Sequence, residues 1–468
     1  MADNQFEIPA YAKQEITSMG YTLPTDMSTH IEQWYQWYTG SHSFYNESYV
    51  GVDSKKHTRK KLSLRPARRV CREWASLIAN EMVATSASPN ANKFIQEYCA
   101  ESGFYTLFQR GIERAFAMGT GAMALWFDVA DSKTAIRVRR YDAKMTIPLS
   151  WDEDGTTECA FCTRVAIKGK QAVQLQMHIK DDKSDTYHII TKVWKDGKKL
   201  DPEELGILED FDTECKTQTF CLLYPAIDNT VQDTSPYGVS VFHDAVDTMK
   251  LLDTSWTAFY DEIDLLRAML LLPDTMIDVE TDEQGNKRAV PFGEKDQRLF
   301  RQTSANIGGD NKPYAFTPNM RTSSIFETYS TACAALGDEC GFGSQYFKPD
   351  KSGGLKTATE VSADNSALMR NIRNHENALG KELSKLLTAL CECARLHCGA
   401  TIEQEADPVS ITWDDSIITD TNAEKQQMMA EVSAGLVPKW MYLVKFYGMS
   451  EEDAKATAPN ETTMDVGF

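Results

Sequence analysis

The chain has 468 residues, 42% of them hydrophobic and 25% charged. That is enough for roughly two to four domains, and it excludes wholesale disorder or a fibrous repeat. Forty-nine Lys and Arg against 68 Asp and Glu leave a formal charge of -19, which opposes a tight sequence-independent grip on phosphate backbones without excluding proximity to DNA.

Met1 to Gln14 carries acids and polar groups where an export signal needs a basic start and an apolar run, so the chain is expected to start in the cytoplasm. Eleven scattered cysteines then read as reduced thiols. The most apolar stretch, Leu265 to Leu272, is broken by Arg267 and falls far short of the roughly 20 apolar residues of a membrane helix.

The first ~130 residues read as mostly helical. An aromatic group (Trp34, Tyr35, Trp37, Tyr38) precedes a basic stretch of Lys55, Lys56, Arg59, Lys60, Lys61, Arg65, Arg68, Arg69 and Arg72. That stretch is open to three readings: a phosphate-binding patch, a solvated face or an inter-subunit salt-bridge surface. From about 135 to 223 short alternating runs such as Ala135 to Arg139 and His188 to Trp194 predict a β-rich insert, with Asp154-Gly155 and Asp196-Gly197 as hairpin turns.

After Ser235-Pro236-Tyr237-Gly238 come Phe242, Ala245, Met249, Leu252, Trp256, Phe259, Ile263, Leu266 and Leu270, apolar throughout at an unbroken 3-4 spacing. They predict one packed helix of ~43 Å, stopped by Pro273. Residues 274 to 320 read as a polar excursion with short strands such as Met276 to Val279. A second helix is expected from Ser324, boxed by Glu327, to Gly341. Phe342 to Lys356 is a basic, glycine-containing loop with Lys348, Lys351 and Lys356. A helix of ~60 Å follows from Thr357 to about Leu396, and its polar middle, Asn371 to Asn377, suggests a kink or an exposed crossing. The strand-like Val409 to Trp413, a helix from Thr421 to near Gly435 and a last helix from Pro438 to Tyr447 complete the chain.

Motifs that carry chemistry are few. No Gly-x4-Gly-Lys-Ser/Thr loop, paired-histidine metalloprotease spacing or Gly-x-Ser-x-Gly elbow is present. Cys159 and Cys162 have half-site spacing without a second pair, and Cys391, Cys393 and Cys398 point in different directions on a helix, so neither group predicts a metal site. No cofactor is expected. The abundant acids leave room for an unrecognised carboxylate metal site, and a phage-type nucleic-acid enzyme stays open as the alternative; another capsid or connector protein is a third reading.

The order helix, β-excursion, helix, basic loop, very long helix resembles the portal proteins of tailed bacteriophages over most of the chain. The branch of long-tailed phages of Gram-positive hosts is the most similar, through Ser63 to Cys71, Met118 to Ala122, Ser235 to Ser240, Lys356 to Val361 and Val432 to Leu436. The resemblance implies an α+β portal fold. Its wing would span 1–235, a stem helix 236–272, a clip 273–322, a second stem helix 323–341, a tunnel loop 342–356, a long wing helix with a returning strand 357–418, and a helical crown 419–468.

It further implies a non-enzymatic ring of about 12 subunits at one capsid vertex of the virion, assembled in the host cytoplasm. Such a ring passes viral double-stranded DNA and docks the large subunit of terminase and the head-tail adaptor, beside the major capsid and scaffold proteins and away from any membrane. Lys348, Lys351 and Lys356 would face the DNA, and the nine apolar positions from Phe242 to Leu270 would pack the stem.

Overall fold

The computed structural model describes residues 7–51, 54–80, 82–130, 133–167, 169–181, 183–202, 205, 207–265, 269–273, 279–281, 285, 287–289, 300–303, 312–349, 358–413 and 421–458. Its first part holds α1 (Ala10–Ser18), α2 (Ser28–Thr39), the hairpin β1 (Asn46–Val50) and β2 (Lys56–Lys60), α3 (Pro66–Ala79), β3 (Met82–Thr85), α4 (Pro89–Ser102) and α5 (Phe104–Met118). Pro66 opens α3 at a position whose N–H needs no helical partner, and Val70, Cys71, Trp74, Ala75 and Ile78 bury one stripe of it. That stripe meets Phe104, Phe108, Ile112 and Phe116 of α5 and the aromatic residues Trp34, Trp37 and Tyr38 of α2 in one core.

Strands begin earlier than the alternating pattern predicts. β4 (Gly121–Ala130) pairs with β5 (Lys133–Asp142), and β12 (Phe220–Leu223) adds to its other side. The run Ala122 to Phe127 is apolar at every position because both faces of β4 are covered, which removes the period of two. A larger antiparallel sheet holds β6 (Thr146–Asp152), β7 (Gly155–Ile167), β8 (Lys170–Lys180), β9 (Tyr187–Lys195) and β10 (Lys198–Leu200) in reverse order, with β11 (Asp210–Asp212) also on β9. Both expected turns form. Asp196 and Gly197 take φ of 51° and 76°, the paired positive values of a tight hairpin turn, and the Asp152 carboxylate accepts from the N–H groups of Asp154 and Gly155. β7 sends Cys159 and Phe161 to one core and Ala160 and Cys162 to another, so the C-x-x-C thiols lie on opposite faces of a strand. Ala12 and Ile16 of α1 close the second face.

The helix expected over 239–272 is α6 (Val246–Leu265). Phe242 and Ala245 sit before it in tight turns, where Ala245 N donates to Phe242 O and Phe242 N to Ser240 Oγ. Leu266 lies outside the described residues. Leu270 belongs to a strand, β13 (Met269–Pro273). The run Met269 to Leu272 is short, continuously apolar and closed by proline, which fits either element, and pairing decides it. β14 (Val279–Thr281) and β15 (Lys287–Ala289) form a hairpin; β16 (Phe300–Thr303) joins β13 in parallel and β17 (Tyr314–Phe316) joins it antiparallel. Met276 to Asp278 lie outside the described residues.

α7 (Thr322–Glu339) starts two residues before the expected capping box, and α8 (Ala358–His397) is one unbroken helix. β18 (Ser410–Trp413) pairs with β3, and α9 (Thr421–Ser433), α10 (Lys439–Tyr447) and α11 (Glu451–Thr457) end the chain. Among the described residues no helix is long and apolar enough to cross a membrane.

Candidate assembly surface

α6 and α7 run antiparallel, with contacts matched in reverse order. Thr248 Oγ1 donates to Glu339 Oε1 at 3.0 Å, Trp256 meets Tyr329 at 6.0 Å between ring centres, and Glu262 takes Arg321. The Arg321 guanidinium gives 3.0 and 3.2 Å bonds to the two Glu262 oxygens, and its backbone N–H adds a 2.7 Å bond. This donor set holds the Glu262 carboxyl below the usual carboxylate range, and it explains why α7 begins at this point and not at Ser324.

The upper part of α6 buries Met249 and Leu252, while Phe242 and Ala245 are buried in the body just before it. Further along, Trp256, Tyr260 and Ile263 are exposed, the last two at 51% and 49%, and Phe259 is half-buried. Within this chain the expected packing positions therefore divide into a buried end and an uncovered end. A run of large apolar side chains left open beside Asp261 and Asp264 is the pattern of a contact face.

A neighbouring flank of α6 is polar and anchored. Asp253 is fully buried and accepts from Tyr45 Oη, Ser63 Oγ and Leu64 N, each at 2.8 Å. Burial pushes the Asp253 carboxyl up, and those donors pull it back. Leu62 N donates to Thr257 Oγ1 at 3.2 Å, and Arg59 bridges Glu47 and Asp261 at 2.6 and 2.8 Å. Asp253 escaped the reading of the sequence because an acid beside an apolar seam looks like surface.

The basic stretch divides in the same way. Lys56, Arg59 and Lys60 lie on β2, whose five residues are all exposed, whereas Arg68 and Arg69 on α3 stack over Tyr38 and Phe347. Lys348 is exposed next to the buried Phe347, and Lys351 and Lys356 lie outside the described residues.

Two family-like strings meet in space. Gly238 N donates to Thr120 Oγ1 at 3.0 Å, and Val241 N and Ser240 Oγ both donate to Phe116 O. A Cβ on Gly238 would lie 2.5 Å from Gly119 O, so only glycine allows the two backbones to touch. The polar middle of α8 is a partly exposed crossing, with Arg373, Asn374 and Asn377 exposed and its other polar side chains turned inward. Asn371 Nδ2 donates to Gly341 O at 2.8 Å, and His375, against Trp74 and Phe116, accepts from Ala226 N at 2.9 Å. Burial lowers its pKa to about 4, so the ring stays neutral and free to accept. Of the two expected readings, a kink or an exposed crossing, the unbroken helix takes the second. Among the described residues no group of His, Cys, Asp and Glu could hold a metal ion.

An α/β body that carries an antiparallel helix pair with an uncovered apolar face has the form of a subunit made to pack against others. The family described as phage portal protein, SPP1 Gp6-like, matches residues 25–461, and the chain belongs to that family. It is a portal protein, a component of the virion at the capsid portal vertex.

No curated protein matches the chain. Similar solved structures include a chain from the neck of a native GTA particle computed with C12 symmetry, at TM-score 0.41 and 13% identity, with 85% of this chain and 91% of that chain covered. A chain from the virion of a native gene transfer agent particle is similar at TM-score 0.45 and 10% identity, over 94% and 99%.

Proposed function

We propose that this portal protein forms a closed ring of about 12 copies through which double-stranded DNA enters and leaves the capsid. The observation that carries the ring is the uncovered apolar end of α6, where Tyr260 and Ile263 stay about half exposed among the described residues and Trp256 is only partly covered by Tyr329. α6 and α7 are the stem, residues 273–322 the clip that docks the large subunit of terminase and later the head-tail adaptor, and 342–356 the tunnel loop. Major capsid and scaffold proteins meet the wing. The work is mechanical guidance and not catalysis. An acidic channel subunit suits it, because net repulsion keeps DNA from sticking while lysines such as Lys348 touch phosphates briefly.

Native mass spectrometry with negative-stain microscopy tests the reading. Twelve copies of 52.6 kDa give a ring of about 630 kDa with a central hole. A monomer or dimer at every salt and protein concentration would refute the ring.

A further inference from the structure

The β1–β2 hairpin is a small arm whose second strand is exposed at every residue. A two-stranded hairpin alone is marginal in water, and this one is held at its base by α6 through Asp253, Thr257 and Asp261. At its far end Tyr49 stacks on His57 yet stays 50% exposed and Val50 is 72% exposed, so the tip keeps open apolar surface.

The residues of α6 that hold the arm are four apart and share one flank. Those that meet α7 are Thr248, Trp256 and Glu262. At about 100° per residue the centres of the two sets lie roughly half a turn apart, so the arm and α7 occupy opposite sides of α6. On the α7 side, Asp338 and Glu339 join Asp228 and Asp244 around a cleft of about 230 Å³, and all four are exposed. None of the described residues that line it is Lys or Arg.

We propose that the arm of one copy docks in this acidic cleft of the next copy, an inference that rests on the ring reading. A head-to-tail ring needs two different, complementary patches on opposite flanks of each subunit, and the arm and the cleft fill those two places. Copies that each carry -19 repel one another. Setting Lys56 and Lys60, which share one face of β2, against Asp228 and Asp338 offsets that repulsion locally and favours one register over others.

The test uses the full-length chain in three forms: Lys56→Glu with Lys60→Glu, Asp228→Lys with Asp338→Lys, and all four changes together. Ring assembly is followed by native mass over protein and salt concentration, with circular-dichroism melting as the check on folding and duplex-DNA retention measured alongside. Each double variant should melt like the parent and need about tenfold more protein to form rings, and the fourfold variant should recover assembly. Parent-like assembly of both double variants overturns the contact and leaves the ring standing, as does failure of the fourfold variant to recover. Intact rings whose arm variant loses only DNA retention also overturn it, and assign the arm to phosphates. A parent chain that never forms rings overturns the ring and the contact together.

Discussion

Gly238 and His375 show how single residues fix this fold. Gly238→Ala forces a methyl group into Gly119 O, a backbone atom that cannot swing away, with the Tyr224 ring close on another side. We expect a loss of about 1–3 kcal/mol, seen as a lower urea midpoint with an unchanged slope. His375 gives a pH dependence whose sign follows from its lowered pKa. Between about 4 and the ordinary 6.5 the unfolded chain binds a proton that the folded chain refuses, so stability is complete above pH 6.5 and falls as the pH drops towards 4. The loss amounts to on the order of 3 kcal/mol for this group. His178, buried between Phe161 and Phe220 with its pKa lowered to about 3, adds in the same direction. Melting of His375→Gln across pH 4 to 7 should show a shallower slope than the parent, and an identical slope would mean that the imidazole is not the titrating group.

At the scale of elements, α6 and α7 hold together through Glu262–Arg321 and Trp256–Tyr329 while leaving Tyr260 and Ile263 open. Tyr260→Ser with Ile263→Ser should therefore change the melting of the isolated subunit by less than about 0.5 kcal/mol yet prevent ring assembly. Sedimentation of the variant beside the parent checks this, and rings of parent-like stability would show that this face is not a contact. The same pair shows what a sequence can reveal. Its apolar spacing was plain, as were the excursion between the helices, the two aspartate-glycine turns and the whole length of α8. Periodicity alone could not show that the first two apolar positions stack in turns or that Leu270 lies in a strand, because a turn and a buried strand can both continue a 3-4 pattern for a few residues. The β1–β2 arm was hidden for the opposite reason. Apart from Tyr49 and Val50 at the tip its residues are polar on both faces, so it carries no buried face to read, and what holds it is a set of hydrogen bonds to residues about 190 to 200 positions away.

Across the whole molecule the chain is closed on itself late. β18 lies on β3, Ser86 Oγ donates to Asp407 O across 321 residues, and Trp413 lies over Gly380 of α8 where any side chain would collide with its ring. The helical body built by the first 120 residues is thus completed by a strand from beyond residue 400. On the ribosome, at about 5–20 residues per second, that strand emerges tens of seconds after its partner. Until then β3 is an open edge, and for most of that time α8 has not been made either. A nascent subunit therefore keeps an unpaired strand edge on its helical body through most of its synthesis. The topology makes completion of the helical body wait for residues 410–413.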